Sequence, residues 1–149
     1  MKNNGYKVFL EEVNRKSPVS VKELEKLAYR TFQVTGKKGG DVSLVVCDDE
    51  FISGLNEKYL GRKGPTNVLS FQMIDEYSTP VEMDNLPLGD IIISVDTTKR
   101  QTVDFGEPFE RLFKRFFVHG LLHLLGFEHN NIEDEEEMNL ITDKILMEV

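Results

Sequence analysis

Apolar and polar positions along the chain change their spacing from block to block, and that spacing assigns the elements. Tyr6 to Leu10 reads as a first strand. Ser20-Val21-Lys22-Glu23 has the capping-box form. The apolar positions Val21, Leu24, Leu27, Ala28 and Phe32 fall at helical spacing, so a helix opens there and Gly36 to Gly40 stop it. Val42 to Cys47 is a continuous β-branched run, as in a buried strand. Asp48 can cap a short helix that turns Phe51, Ile52, Leu55 and Tyr59 inward. Val68 to Phe71 and Ile91 to Val95 supply two more strands. Between them, Asp75 to Leu88 is polar, contains Pro80 and Pro87, and reads as an exposed loop. Asp96 to Phe105 predicts a short helix, Pro108 suits a helix start, Phe109 to Leu125 makes a long helix, and a last helix runs from about Glu133 to the end.

Four strands with helices before, between and after them predict an α+β or α/β domain spanning residues 1–149, its sheet covered by the long apolar helix. The pattern leaves strand order open. Between Phe116 and Leu125 the only residues that are neither apolar nor Gly are His119 and His123, so this helix is expected to carry two histidines into the core.

Composition narrows the class. The chain has 149 residues, 40% of them hydrophobic and 30% charged, which suits one globular domain. No run approaches the roughly 20 apolar residues of a membrane span. Met1 to Asn14 has no apolar core of signal-peptide length, so a cytoplasmic protein with no membrane partner is expected. The one cysteine, Cys47, excludes an internal disulfide and a multi-cysteine zinc site, and its place in an apolar run makes it a core side chain. The net charge of −8 speaks against nucleic acid at first sight, but the charge is divided. Residues 1–40 hold nine basic and four acidic side chains, whereas residues 130–149 hold one basic and seven acidic ones.

All three histidines lie in the eleven residues from His119 to His129. On a helix, His119 and His123 share one face a turn apart. Gly126 can take the left-handed conformation that ends a helix and return His129 to the same point. Three imidazoles and one open position are the donor set of a catalytic zinc site. The spacing matches the H-E-x-x-H-x-x-G-x-x-H pattern of metzincin proteases, but Gly120 stands where their general base is a glutamate. The metal geometry therefore survives without the peptidase base. Imidazole also suits nickel, copper and iron, so residue type does not choose among these metals.

His119-Gly120-Leu121-Leu122-His123-Leu124-Leu125-Gly126-Phe127-Glu128-His129 resembles the signature of the YbeY family of bacterial endoribonucleases, H-G-x-x-H-L-x-G-[YF]-[DE]-H. Leu55-Asn56 with Tyr59, Pro65-Thr66-Asn67-Val68-Leu69-Ser70-Phe71, and Leu88-Gly89-Asp90-Ile91-Ile92-Ile93-Ser94 extend the resemblance over nearly the whole chain. The resemblance implies a zincin-like fold with a mixed four-stranded sheet and a metal held by His119, His123 and His129. It further implies a metal-dependent, single-strand-specific endoribonuclease that acts in 16S ribosomal RNA 3′-end maturation and ribosome quality control. Its partners would be single-stranded RNA, the ribosomal subunit and ribosome-associated proteins. The family commonly has an arginine where this chain has Leu60, and Arg62 lies two residues on.

Two residues are candidates for catalysis. Arg62 can hold a phosphate bidentately, and Glu128, beside His129, can orient a ligand or relay a proton. Asp90 can accept from a ligating imidazole or cap local backbone. The acidic run Glu133 to Glu137 complements a helix dipole, and Met138 reads as core. Arg111 and Arg115, one turn apart on the helix of His119, are expected to form a cationic stripe toward the ion, with the acidic last helix facing elsewhere. Two other readings remain open: a zinc-dependent peptidase or other metallohydrolase with a non-standard base, and a non-catalytic ribosome-assembly factor with structural zinc.

Overall fold

A computed structural model describes residues 7–73, 87–128 and 131–147. Its elements run β1 (Val8–Glu12), α1 (Val21–Thr35), β2 (Asp41–Cys47), α2 (Asp49–Leu60), β3 (Val68–Gln72), β4 (Pro87–Ser94), α3 (Val95–Phe105), α4 (Phe109–Leu124) and α5 (Ile132–Met147). The four strands form one mixed sheet in the order β1-β2-β4-β3, with β1, β2 and β4 parallel and β3 antiparallel at the edge. This is the expected α+β architecture.

Alternation along the strands divides the core. Val42, Leu44 and Val46 of β2 and Ile91 and Ile93 of β4 face the main core, which α1, α4 and α5 complete. The opposite face holds Cys47, Ile92 and Leu69 against Ile52 of α2. β2 therefore buries alternate residues on two faces rather than forming the uniformly buried run that its composition suggested. Burial pushes the Cys47 thiol up to about 12, which leaves it protonated and inert.

The local signals at helix ends hold. Ser20 Oγ accepts from Glu23 N at 3.2 Å, and Asp48 Oδ1 accepts from Phe51 N at 3.0 Å. Asn131 Oδ1 accepts from Asp134 N at 2.8 Å, so α5 starts one residue before the expected Glu133. Three expectations need correction. Phe51 and Tyr59 are exposed: Phe51 lies off the Ile52 face of α2, and Tyr59, whose ring meets Phe71 of β3 at 5.4 Å, stands at the rim of the contact. β4 begins at Pro87, taking two residues from the expected loop, of which residues 75–86 lie outside the described residues. Tyr6, the expected start of the first strand, also lies outside them, and the strand runs two residues further, to Glu12.

A polar network joins the carboxyl ends of the parallel strands. Asp49 accepts from Ser94 Oγ at 2.7 Å and Thr97 Oγ1 at 2.6 Å, and pairs with Arg100 Nη1 at 2.7 Å. Asp96 accepts from Arg15 Nε at 2.8 Å and from Asp49 N at 3.0 Å. Burial works against both charges, but these bonds outweigh it and hold both carboxyls below the usual range. A depressed folded-state pKa stabilises above the unfolded value of about 3.9 and loses that contribution as pH falls through the folded value. Thermal stability is therefore expected to fall below about pH 4. Asp49→Ala, which leaves the buried Ser94 hydroxyl without this acceptor, is expected to cost about 2–3 kcal/mol at pH 7 and to flatten that acid dependence. Calorimetry across the acid range checks both.

Candidate metal centre and its cleft

The site begins with the way α4 lies on the sheet. Its residues from Leu112 to Leu124 are buried except on one side, and that side carries His119 and His123. The two histidines are half-buried on the wall of a cleft of about 840 Å³, not sealed in the core as the apolar run suggested. Gly120 makes the close approach possible. A Cβ there would stand 2.9 Å from Ile91 Cγ2 and 3.1 Å from Ser70 Oγ. Ser70 Oγ donates to Gly120 O at 3.2 Å and Gln72 Nε2 to Leu124 O at 3.1 Å, so β3 clamps the helix along the cleft. Gly89 serves the same contact from β4. Its φ is +147°, and a Cβ would stand 2.3 Å from Phe71 O and 2.9 Å from Leu124 Cδ2.

The Nε2 atoms of His119 and His123 are 3.2 Å apart. Two nitrogens at about 2.0–2.1 Å from a tetrahedral ion would be separated by about 3.3–3.4 Å, so the pair is spaced to share one ion. After His123 the helix ends in a Schellman turn. Phe127 N donates to Leu122 O at 3.0 Å and Gly126 N to His123 O at 3.1 Å, with Gly126 at φ +98°. The chain reverses there, as the glycine predicted. His129 lies outside the described residues, and among the described residues no three His, Cys, Asp or Glu side chains form a metal-binding group.

The cleft also brings together residues far apart in sequence. Leu60, Arg62 and Lys63 line it, as do Phe105 and Glu128. Both the position where the related family has arginine and the nearby Arg62 are therefore on the wall. Asn56 holds this segment: its Nδ2 donates to Gly64 O at 3.0 Å, and its carbonyl accepts from Arg62 N at 3.3 Å. Asn67 bonds Gln101 Oε1 through Nδ2 at 2.9 Å and accepts from Val68 N through Oδ1 at 2.7 Å. These contacts account for the Leu-Asn and Pro-Thr-Asn motifs as positioning elements. Arg62 and Lys63 are exposed and form no ion pair with a described residue.

Three expectations about polar groups fail. Asp90 shares the face of Ile92, opposite the face that Ile91 presents to Gly120 of α4, so it points away from the imidazoles. Arg111 and Arg115 do not form an open cationic stripe. Both pair with Glu107, at 3.0 and 2.7 Å, and Arg115 also pairs with Asp143 at 2.7 Å. The hydrogen bond from Arg115 holds the Glu107 carboxyl below its usual range against the effect of burial. The acidic last helix does not face elsewhere, because Glu135, Asn139 and Thr142 line the cleft. Sequence reasoning missed that stripe, although its four- and three-residue spacing marks one helix face.

Comparison with known proteins comes to the same place. A profile of the family described as Endoribonuclease YbeY matches residues 10–149. A protein named Endoribonuclease YbeY from Bacillus pumilus is 38% identical over 143 residues, covering 92% of this chain and 90% of its own. Another of that name, from Bacillus velezensis, is 40% identical over 134 residues, covering 87% and 85%. The solution structure of a Thermotoga maritima protein superposes with a TM-score of 0.59 at 22% identity, covering 94% of this chain and 91% of that one, and so shares the fold. No helix among the described residues is long and apolar enough to cross a membrane.

Proposed function

The chain belongs to the endoribonuclease YbeY family, and from that membership we infer a metal-dependent endoribonuclease that cuts single-stranded RNA. Its substrate in the cell is the 3′ end of 16S ribosomal RNA, within ribosome maturation and quality control. Its partners are the ribosomal subunit and proteins associated with it. His119, His123 and His129 are the proposed ligands, and zinc is the proposed ion, one per chain. The observation that carries this reading is the 3.2 Å spacing of the His119 and His123 nitrogens inside a cleft that also exposes Arg62 and Lys63.

A divalent ion there would supply Lewis acidity toward a phosphoryl oxygen and make water a better nucleophile. The chain's own residues do the rest. Arg62 offers a planar fork that can grip a phosphate bidentately, and Lys63 adds a mobile charge beside it. Glu128 supplies a carboxylate on the same wall to take or return a proton. The peptidase reading loses support at Gly120. Its position is pressed against Ile91 and Ser70 and has no room for a glutamate that could act as base.

Matched assays on single-stranded RNA, duplex RNA and casein test the reading. Cleavage of the single strand alone, lost on metal removal and restored on return, is the expected result. Casein cleavage with RNA spared would establish the peptidase, and ribosome association without any cleavage would establish the assembly factor.

With two unpaired cations on the wall, RNA affinity is expected to fall with salt at a log-log slope of only about −1.4, from about 0.7 per phosphate contact. Arg62→Ala with Lys63→Ala should bring the slope near zero. Arg111→Ala, which removes an arginine already paired with Glu107, should leave it unchanged. Binding titrations at several salt concentrations check both.

A further inference from the structure

Among the described residues, the cleft of this acidic protein holds little free positive charge: of the three Lys and Arg side chains that line it, Arg115 is taken up by Glu107 and Asp143, and Arg62 and Lys63 remain. Two side-chain phosphate contacts beside the ion's own supply little sequence-independent affinity, so a contact to the bases would add substantially to the hold on a single strand. The wall supplies one in Phe105. This residue ends α3, lines the cleft, and is 48% exposed although it is a large apolar ring. It is also oriented. Phe116, buried in the main core, meets it edge to face with centroids 5.5 Å apart and planes at 86°. Phe116 precedes His119 by three residues, about 4.5 Å along the helix axis. The exposed ring therefore lines the same cleft as His119 and His123, held from behind by the core.

We propose that Phe105 is a base-stacking platform that receives an unpaired nucleobase next to the scissile phosphate and so contributes to the selection of single-stranded RNA. The inference rests on the endoribonuclease reading of the same cleft and adds the residue that binds the base. An aromatic ring accepts the face of any base, so the contact is tolerant of sequence. It requires a base free of its duplex stack. In a duplex both faces of an internal base are covered by its neighbours, and Phe105 has nothing to receive. Stacking also responds little to salt, which agrees with the shallow salt slope that two cations predict.

The test is stopped-flow fluorescence of the metal-loaded protein with a short single-stranded RNA carrying one 2-aminopurine, read before cleavage. Wild-type protein is expected to change the 2-aminopurine emission on binding. Phe105→Ala is expected to lose that change and to weaken binding about 5- to 150-fold, the range of one base-aromatic stack. Phe105→Trp is expected to retain both, which separates stacking from general damage to α3. An abasic RNA should bind wild-type protein as weakly as Phe105→Ala binds the intact strand, and combining the two changes should cost little more. Unaltered affinity and emission in Phe105→Ala would overturn the stacking role and leave the nuclease reading standing. Failure of wild-type protein to bind the RNA at all would overturn both.

Discussion

His119→Ala and His123→Ala are each expected to lower RNA cleavage by at least about a thousandfold, or ~4 kcal/mol of transition-state stabilisation, while the protein stays folded. Their rings are half-buried on the cleft wall, so truncation opens space toward solvent and not a sealed cavity. The Nε2 atoms lie 3.2 Å apart, and each variant removes half of that pair. The loss should come with loss of bound metal, and far-ultraviolet circular dichroism should remain that of the wild type. A variant that kept its metal and its rate would show that the pair is not a ligand set.

Gly120→Glu is expected to have the largest effect on the fold. The position lies where α4 meets β3 and β4, and even a methyl group would stand 2.9 Å from Ile91 Cγ2. Overpacking of this kind costs about 1–3 kcal/mol, and burying an unpaired carboxylate adds several more. The sum approaches the whole stability of an ordinary domain. Gly120→Ala separates the two parts, since a gain in helix propensity of about 1 kcal/mol offsets some of its steric cost. Chemical denaturation is expected to rank wild type above Gly120→Ala and both above Gly120→Glu. A stable Gly120→Glu protein with metal-dependent casein hydrolysis would instead favour peptide chemistry for this site.

What could be read from the chain was what short-range geometry determines. The four-residue spacing of His119 and His123, the left-handed glycine at 126, and the caps at Ser20 and Asp48 depend on neighbours within a turn or two, and all are present. Gly120 was legible as the loss of the peptidase base, and its contacts with Ile91 and Ser70 come from strands distant in sequence. Strand order was not legible, because hydrophobic period assigns a face to each residue without assigning a neighbour to each strand. The electrostatics of the cleft were missed for a related reason. Arg111 and Arg115 looked like free cations along one helix, but Asp143, which neutralises Arg115, is 28 residues away in sequence. Lys114 is likewise paired with Glu23 of α1. Asp90 failed through parity: one residue along a strand reverses the face, and a motif position does not state which face it takes.

The central claim is that the histidine turn holds the ion on which RNA cleavage depends. Single-turnover cleavage of a single-stranded RNA, measured while zinc is returned stepwise to metal-free protein, tests it most directly. The rate is expected to rise with occupancy and level off at one ion per chain in the wild type, and to stay at background throughout the same titration in His119→Ala. Full cleavage by the metal-free wild type, or an unchanged titration in the variant, would contradict the account.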